Sequence, residues 1–473
     1  GQPARPRVRA ARAIRRSARA ARNVMEPPMS HREGSLEAPT RHPLDWRSDA
    51  FYDQAAIDAE LARVFDICAG CRRCVSLCGA FPTLFDLVDE TETGEAHAVD
   101  PKSFGKVVDQ CYLCDLCYMT KCPYVPPHPW NVDFPHLMLR ARAARYRRNE
   151  VRLRDKLLSN TDMLGHFAGI PIVTQAVNAA NRTPAMRGAL EATFGVDRRA
   201  WLPPFASRKF RRVAPRSPAT PPRDGERTPG RVAIYATCYV NYNEPGIGHD
   251  LLAVLAHNGI PYELVASEAC CGMPLLEQGN LEGVAAKKAA NIPVLARHAR
   301  EGHALIGAIP SCVLMYKSEL PLMFPDDADV RAVADAFWDP FEYMIARHRD
   351  GLLKTDFKHE LGVVSYHVPC HARVQNIGRK AADALSLVPG TKVKVVERCS
   401  GHAGTFGVKR EFHAQALKIG SPVFNAIAEQ APDYMSSDCA LAGHHIEEGI
   451  GAKGVEPPPF AHPITLLRRA YGI

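Results

Sequence analysis

Residues 68–78 read Cys68-x-x-Cys71-x-x-Cys74-x-x-x-Cys78, and residues 111–123 read Cys111-x-x-Cys114-x-x-Cys117-x-x-x-x-Cys122-Pro123. Three cysteines at steps of three let one tight loop wrap three irons of a cubane, and the fourth iron then needs a thiolate from elsewhere. Zinc sites usually present cysteines in separated pairs rather than triplets. A disulfide framework suits small secreted domains, and a chain of 473 residues is not one.

In the two-cluster bacterial ferredoxin arrangement the fourth cysteine of each run ligates the other cluster. That assigns Cys68, Cys71, Cys74 and Cys122 to one [4Fe–4S] cluster, and Cys111, Cys114, Cys117 and Cys78 to the second. Two departures from the pattern stand out. The second run has four residues before its last cysteine, and Cys78 is followed by Gly79 instead of proline.

Working outward, the length suggests about three domains. A hydrophobic share of 46% and a charged share of 23% supply an ordinary globular core. Fifteen cysteines, most of them in metal-type groups, fit a reducing cytoplasm. No run of apolar residues is long enough to span a membrane. The net charge of +8 is concentrated at the start, where residues 1–28 hold eight arginines against Glu26 alone. The rest is close to neutral, which speaks against a global field for nucleic acid. A basic stretch from Arg140 to Lys156 remains, expected as a solvated helix face.

Residues 1–28, rich in Arg, Ala and Pro, are expected to be disordered. Their composition is also that of a transit peptide, or of an extension upstream of a natural start at Met29. Apolar spacing predicts helices over Asp53–Phe65 and Phe81–Val88, and a long helical region from Pro135 to about Leu158. Helical patterns recur between Met163 and Phe194, and the Pro- and Arg-rich stretch from Pro203 to Gly230 reads as a linker.

Beyond it, strands and helices alternate. Predicted strands at Val232–Thr237, Tyr262–Ala266 and Ala304–Ile309 lead to Cys238, to Cys270-Cys271-Gly272 and to Cys312. Strands at Gly362–His367, Lys392–Glu397 and Asp433–Ser437 lead in the same order to Cys370, to Cys399-Ser400-Gly401 and to Cys439. This is an internal duplication of an α/β unit. Open parallel sheets bind ligands at the carboxyl edge, so the cysteines of each unit should converge there and could form a further Fe–S or metal centre.

The paired cysteine runs and the two Cys…Cys-Cys-Gly…Cys units resemble the family of the C subunit of anaerobic glycerol-3-phosphate dehydrogenase. They also resemble heterodisulfide reductase subunits, lactate-utilisation proteins and other cysteine-rich Fe–S oxidoreductases. The closing segment Ala461-His462-Pro463-Ile464-Thr465-Leu466-Leu467 is similar to the glycerol-3-phosphate group. Both units depart from the family motif Cys…Cys-Cys-Gly…Cys-x-x-Cys. The first carries Met315 in the last position, and the second carries Ser400 and Ala442 where cysteines would stand. The second unit therefore either holds a mixed site using His371, His402, His444 or His445, or is a degenerate half.

The resulting expectation is an α plus α/β chain. Residues 1–50 form a disordered basic extension, 51–158 a helical domain for two [4Fe–4S] clusters, and 159–230 a helical segment with a linker. Residues 231–350 and 351–473 form two tandem Rossmann-like cysteine-rich units. The function expected is an electron-transfer subunit of an oxidoreductase complex. No dinucleotide fingerprint is visible, since Gly246-Ile-Gly248 lacks its third glycine. A partner holding flavin, quinone or a diiron centre is therefore expected, in the cytoplasm or at the inner face of the membrane. Two alternatives remain: a disulfide-type reductase within the cysteine-rich domain, and a nucleic-acid-binding protein with structural clusters.

Overall fold

Asp53 starts the helix Gln54–Cys71 by accepting the Ala56 amide at 2.7 Å, and that helix delivers Cys68 and Cys71 in its last turn. Ile57, Leu61, Val64 and Phe65 form its buried stripe. The helix ends because Arg72 turns to φ 51°. The computed structural model, which describes residues 39–266 and 268–473, packs this helix against Ala80–Asp89, Phe104–Gln110 and Phe134–Arg147. Phe65, Phe81, Phe104 and Phe134 meet ring to ring at the centre, with centroid separations of 4.7–6.1 Å. Such aromatic contacts fix the angle of the helices as well as burying area.

The remainder is mostly helical around two small parallel sheets. The first contains β1 (Val232–Ile234), β2 (Tyr262–Leu264), β3 (Ala304–Ile306) and β4 (Phe337–Trp338) in the order β2-β1-β3-β4. The second contains β5 (Val363–His367), β6 (Lys392–Val396) and β7 (Tyr434–Ser437) in the order β6-β5-β7. In both sheets the first strand in sequence lies between the second and third. Parallel neighbours require crossovers, and the helices Pro245–His257, Leu281–Arg300 and His413–Gln430 are among those that supply them. Both faces of β1 and β3 are covered, which is why these strands are apolar throughout.

The two sheets share one hydrophobic core. The last helix, Pro463–Tyr471, packs on Pro245–His257 of the first sheet's surroundings. Arg468 and Thr465 both bond Asp250, at 2.6 and 2.5 Å.

Several expectations are corrected. The arginine-rich residues 1–28 and Met29 lie outside the described residues. Within residues 39–50, expected as part of a disordered extension, two side chains are anchored to the body of the protein. Trp46 is buried and donates to the Met323 carbonyl at 2.9 Å, and Arg41 bridges Asp115 and Asp133. An amphipathic arginine becomes structural once carboxylates surround it, which composition alone does not reveal.

The segment 203–230 is not a free linker. Phe210 is fully buried, Ser217 accepts the Tyr262 amide, and the Tyr343 hydroxyl and Arg347 guanidinium donate to the Pro229 and Arg223 carbonyls. Proline keeps this backbone extended, leaving carbonyls open to side-chain donors. The helix expected to about Leu158 breaks into Phe134–Arg147 and Leu153–Ser159 at a turn where Asn149 has φ 63°.

The basic residues of this stretch divide: Arg147, Arg148 and Arg152 are exposed as expected, whereas others are held by the packed chain. Arg140 bonds the Phe51 carbonyl, Arg145 pairs with Asp109, and Arg154 with Glu411. Among the described residues no helix is long and apolar enough to cross a membrane.

Candidate redox site

Cys68 and Cys71 leave the end of one helix, Cys74 lies in the turn after it, and Cys122 follows the short helix Leu116–Thr120. These four line one cavity with Phe81, Phe85, Tyr124 and Val132. Burial pushes the Cys68 thiol well up, and the charges of Cys122, Cys74 and Cys71 add to it. The same causes, burial first, push Cys74 up to about 12 and Cys122 up to about 11. The desolvation of Cys68, Cys74 and Cys122 disfavours bare thiolates there, and four sulfur donors around one pocket suit a cationic inorganic core.

Cys78, Cys111, Cys114 and Cys117 form a second neighbourhood. Burial raises Cys117, which also feels Cys74, Cys111, Cys114 and Cys78, so this group adjoins the first through Cys74. Burial raises Cys78 as well, with Cys111 its leading charged neighbour. Arg142, itself half-buried, donates to the carbonyls of Cys111, Val108 and Glu277, tying this loop to the helix Met273–Glu277. The Leu113 amide points at Cys111 Sγ, 3.4 Å away. Hydrogen bonds to sulfur are one of the levers that set a cluster's potential.

In the first sheet each marker cysteine follows a strand's carboxyl end. Sulfur contacts link Cys238 to Cys270, Cys270 to Cys271, and Cys271 to Cys312. Contact with Cys238 and Cys271 holds the Cys270 thiol well below its usual range, while Cys238 and Cys271 are pushed up. Gly272, at φ 99°, makes the turn that an L side chain resists. Met315, where the family motif has a cysteine, is fully buried.

The loop before this pair is clasped by Asn291. Its Oδ1 accepts the Ala269 amide at 2.8 Å, and its Nδ2 donates to the Cys270 carbonyl at 3.2 Å and to Tyr316 at 2.8 Å. Asp162 accepts the Cys270 amide at 2.9 Å and receives Lys287 at 2.6 Å. Thr161 lies beside Cys238 and Cys270. The sequence reading missed Thr161, Asp162 and Asn291. Their only signal is a cap-like Asn160-Thr161-Asp162 far from any cysteine in sequence.

In the second sheet Cys370, Cys399 and Cys439 are neighbours. Burial and then the charges of Cys399 and Cys439 raise Cys370, and burial leads the rise of Cys439 to about 11. The Gly401 amide points at Cys399 Sγ at 3.3 Å. Ser400 and Ala442 are both buried.

The histidines considered for a mixed site divide. His371 bonds Ser311 at 2.8 Å, and His444 lies between Glu244 at 2.8 Å and Glu447 at 2.6 Å. Burial holds His402 down at about 3, and among the described residues its Nε2 has no hydrogen-bond partner. The His402 and His445 ring centroids are 5.9 Å apart, and Glu448 lies 3.3 Å from His413 and 3.5 Å from His445.

The two halves of the molecule meet at Tyr112. Cys78, Cys114 and Cys399 all pack against the buried cluster of Tyr112, Phe406 and Ala416. The Tyr112 and Phe406 rings are 4.6 Å apart. Beside them opens a cavity of about 350 Å³ lined by Cys111, Tyr112, Arg142, Glu277, Phe406 and Lys409, among others. Burial pushes the Glu277 carboxyl up to about 7 against the pull of Arg142 and Lys409.

Comparison with known proteins agrees with the duplication. A cysteine-rich domain family model matches residues 232–317 and again 364–447. The C subunit of anaerobic glycerol-3-phosphate dehydrogenase from Escherichia coli K12 is 29% identical over 346 residues, covering 72% of this chain and 83% of that protein. The B subunit of fumarate reductase (CoM/CoB) from Methanothermobacter marburgensis is 25% identical over 252 residues, 52% of this chain and 48% of its own. Lactate utilization protein A of Bacillus cytotoxicus is 28% identical over 219 residues, 44% of this chain and 87% of its own. These matches support a general electron-transfer role. The chain thus carries two copies of the cysteine-rich CCG domain and is similar, along 72% of its length, to the C subunit of anaerobic glycerol-3-phosphate dehydrogenase.

Proposed function

We propose that this protein is the electron-relay component of an oxidoreductase complex. Cys68, Cys71, Cys74 and Cys122 would hold one [4Fe–4S] cluster, and Cys78, Cys111, Cys114 and Cys117 a second. When bound, such clusters supply one-electron donor and acceptor centres. The observation that carries the reading is the packing of Cys78, Cys114 and Cys399 around Tyr112, which joins the eight-cysteine domain to the second cysteine-rich unit. Tyr112 and Phe406 exclude water from this contact, and the amides of Leu113 and Gly401 face the sulfurs on either side. The 2-1-3 order of strands in both sheets supports a pair of Rossmann-like units.

The four thiols of the first unit fit an additional Fe–S or metal centre, because all are sulfur donors in mutual contact. The second unit offers three, so its site would be completed by a ligand of another kind or remain a packing half. The partner would carry flavin, quinone or a diiron centre, in the cytoplasm or at the inner face of the membrane. A second reading, in which this chain itself reduces a small acceptor, draws on the cavity beside Cys111 and Tyr112.

Protein purified without oxygen tests the first reading. It should hold about eight irons and as many sulfides from two cubanes, with up to four more irons if the first cysteine-rich unit is loaded. Zinc in place of iron and acid-labile sulfide would end it.

A further inference from the structure

At the opposite end of the first sheet from the cysteines, Glu263, His298, Glu301 and His303 come together. Glu263 lies in β2, His298 in the last turn of the helix Leu281–Arg300, Glu301 at its cap, and His303 immediately before β3. One donor atom from each lies within 4.8 Å of all the others. Glu263 Oε1 is 2.9 Å from His298 Nδ1 and 2.9 Å from His303 Nε2, and Glu301 Oε2 is 3.9 Å from His298 Nδ1. Ligands about 2.0–2.1 Å from a tetrahedral zinc are themselves roughly 3.3 Å apart. The four groups therefore already span one coordination sphere.

The internal hydrogen bonding points the same way. His303 Nδ1 lies 3.2 Å from the His298 carbonyl, so as the donor it leaves the Nε2 lone pair facing Glu263. A hydrogen bond from the far ring nitrogen to a carbonyl is what fixes the tautomer of a metal-bound histidine. His298 is 5% exposed, and neither of its ring nitrogens finds a hydrogen-bond partner among the described residues. Its Nδ1 is close to Glu263 but out of line for a hydrogen bond, as expected of two atoms that share a cation. Arg231 donates to the Glu301 carbonyl and holds the turn that carries Glu301 toward the histidines.

We infer that these four residues form a binding site for a first-row divalent cation, with zinc the best match to two imidazoles and two carboxylates. The site is separate from every cysteine and carries no electron. It staples the edge strand β2 to the turn between the helix Leu281–Arg300 and β3. With four protein ligands its coordination is closed, the pattern of a structural rather than a catalytic zinc site.

The test uses the cluster-loaded chain, in which the thiolates are already engaged. Titration with Co²⁺ should give the d–d absorption of a nitrogen and oxygen site without thiolate-to-cobalt charge transfer, saturating at one equivalent. Zn²⁺ should displace it and raise the melting temperature. His303→Gln and Glu263→Gln should each weaken Zn²⁺ binding by about 100-fold, and Arg231→Lys, which leaves the ligands intact, by at most about tenfold. Absence of the nitrogen and oxygen cobalt spectrum in the unaltered chain would overturn the inference even if a variant failed to fold. So would Zn²⁺ affinity unchanged in both ligand variants.

Discussion

Ser311 Oγ and His371 Nδ1 lie 2.8 Å apart, and each residue is the immediate sequence neighbour of a marker cysteine, Cys312 and Cys370. This bond joins the helix Pro310–Leu314 after β3 to the helix Cys370–Arg373 after β5, so the cysteine edges of the two units face one another. Burial holds His371 down at about 4, so its ring is neutral at neutral pH and its Nδ1 shares a single hydrogen bond with the serine hydroxyl. Ser311→Ala leaves that buried nitrogen without a partner and should cost about 1–3 kcal/mol. Ser311→Thr should restore most of it. Chemical denaturation of the three proteins at matched cluster content checks the order.

The contact at Tyr112 makes Cys399 a sharper probe of the relay than its sequence suggests. Cys399→Ser should keep the EPR signals of the Cys68 and Cys78 groups and slow delivery to the physiological acceptor by more than about tenfold. Cys271→Ser should also leave both signals in place. Full turnover by the Cys399→Ser protein would exclude the second unit from the path, and full turnover by the Cys271→Ser protein would exclude the first.

The two glycines after the cysteine pairs should respond differently to a methyl group. Gly272 has φ 99°, and an added Cβ would meet nothing closer than Met315 Cε and Val284 at 3.6 Å, so Gly272→Ala should cost only the backbone strain, about 1–2 kcal/mol. Gly401 has φ 84°, and its Cβ would stand 2.0 Å from the Ala416 carbonyl oxygen. Gly401→Ala should cost roughly 3–5 kcal/mol, strain and backbone displacement together. Equal melting temperatures for the two variants would contradict this.

Stability should fall on both sides of neutrality for separate reasons. Burial works against the His444 cation, but the hydrogen bonds it donates to the Glu244 and Glu447 carboxylates outweigh it and raise the group to about 9. Its contribution is therefore complete below about pH 6.5 and lost as pH rises through about 9, on the order of 2–3 kcal/mol. His367 and His462 are held neutral by burial, each down at about 4. They bind fewer protons folded than unfolded, so they lower stability as pH falls from about 6.5 toward 4. His444→Gln should flatten the alkaline limb of the stability curve and leave the acid limb alone.

Arg41 anchors the first described residues. It reaches Asp115 at 2.7 Å, Asp133 at 2.8 Å and Glu319 at 3.6 Å, and caps the Tyr118 ring. Arg41→Ala strands buried carboxylates and should destabilise by about 3–5 kcal/mol. Asp133→Asn in that background should recover part of the loss, measured as a double-mutant cycle.

The eight clustered cysteines, the duplication and most strand positions were legible in the sequence, because ligand spacing and apolar runs are local properties. The predicted strands at Lys392–Glu397 and Gly362–His367 differ from β6 and β5 by a residue at one end. What the sequence left open was how distant segments other than the cysteines meet. Asp162 holding the Cys270 amide, Tyr112 joining Cys114 to Cys399, and Arg142 spanning Cys111 and Glu277 arise from packing between elements. Arg140, Arg145 and Arg154 looked like part of a surface because charge composition does not say where carboxylates and free carbonyls will lie. The proline-rich segment looked like a linker because proline reports backbone stiffness, whereas the burial of Phe210 depends on the face it happens to meet. Spacing along the chain determines which residues can bind together, and only the tertiary structure decides which of them do, since desolvation and hydrogen-bond pairing are properties of the packed interior.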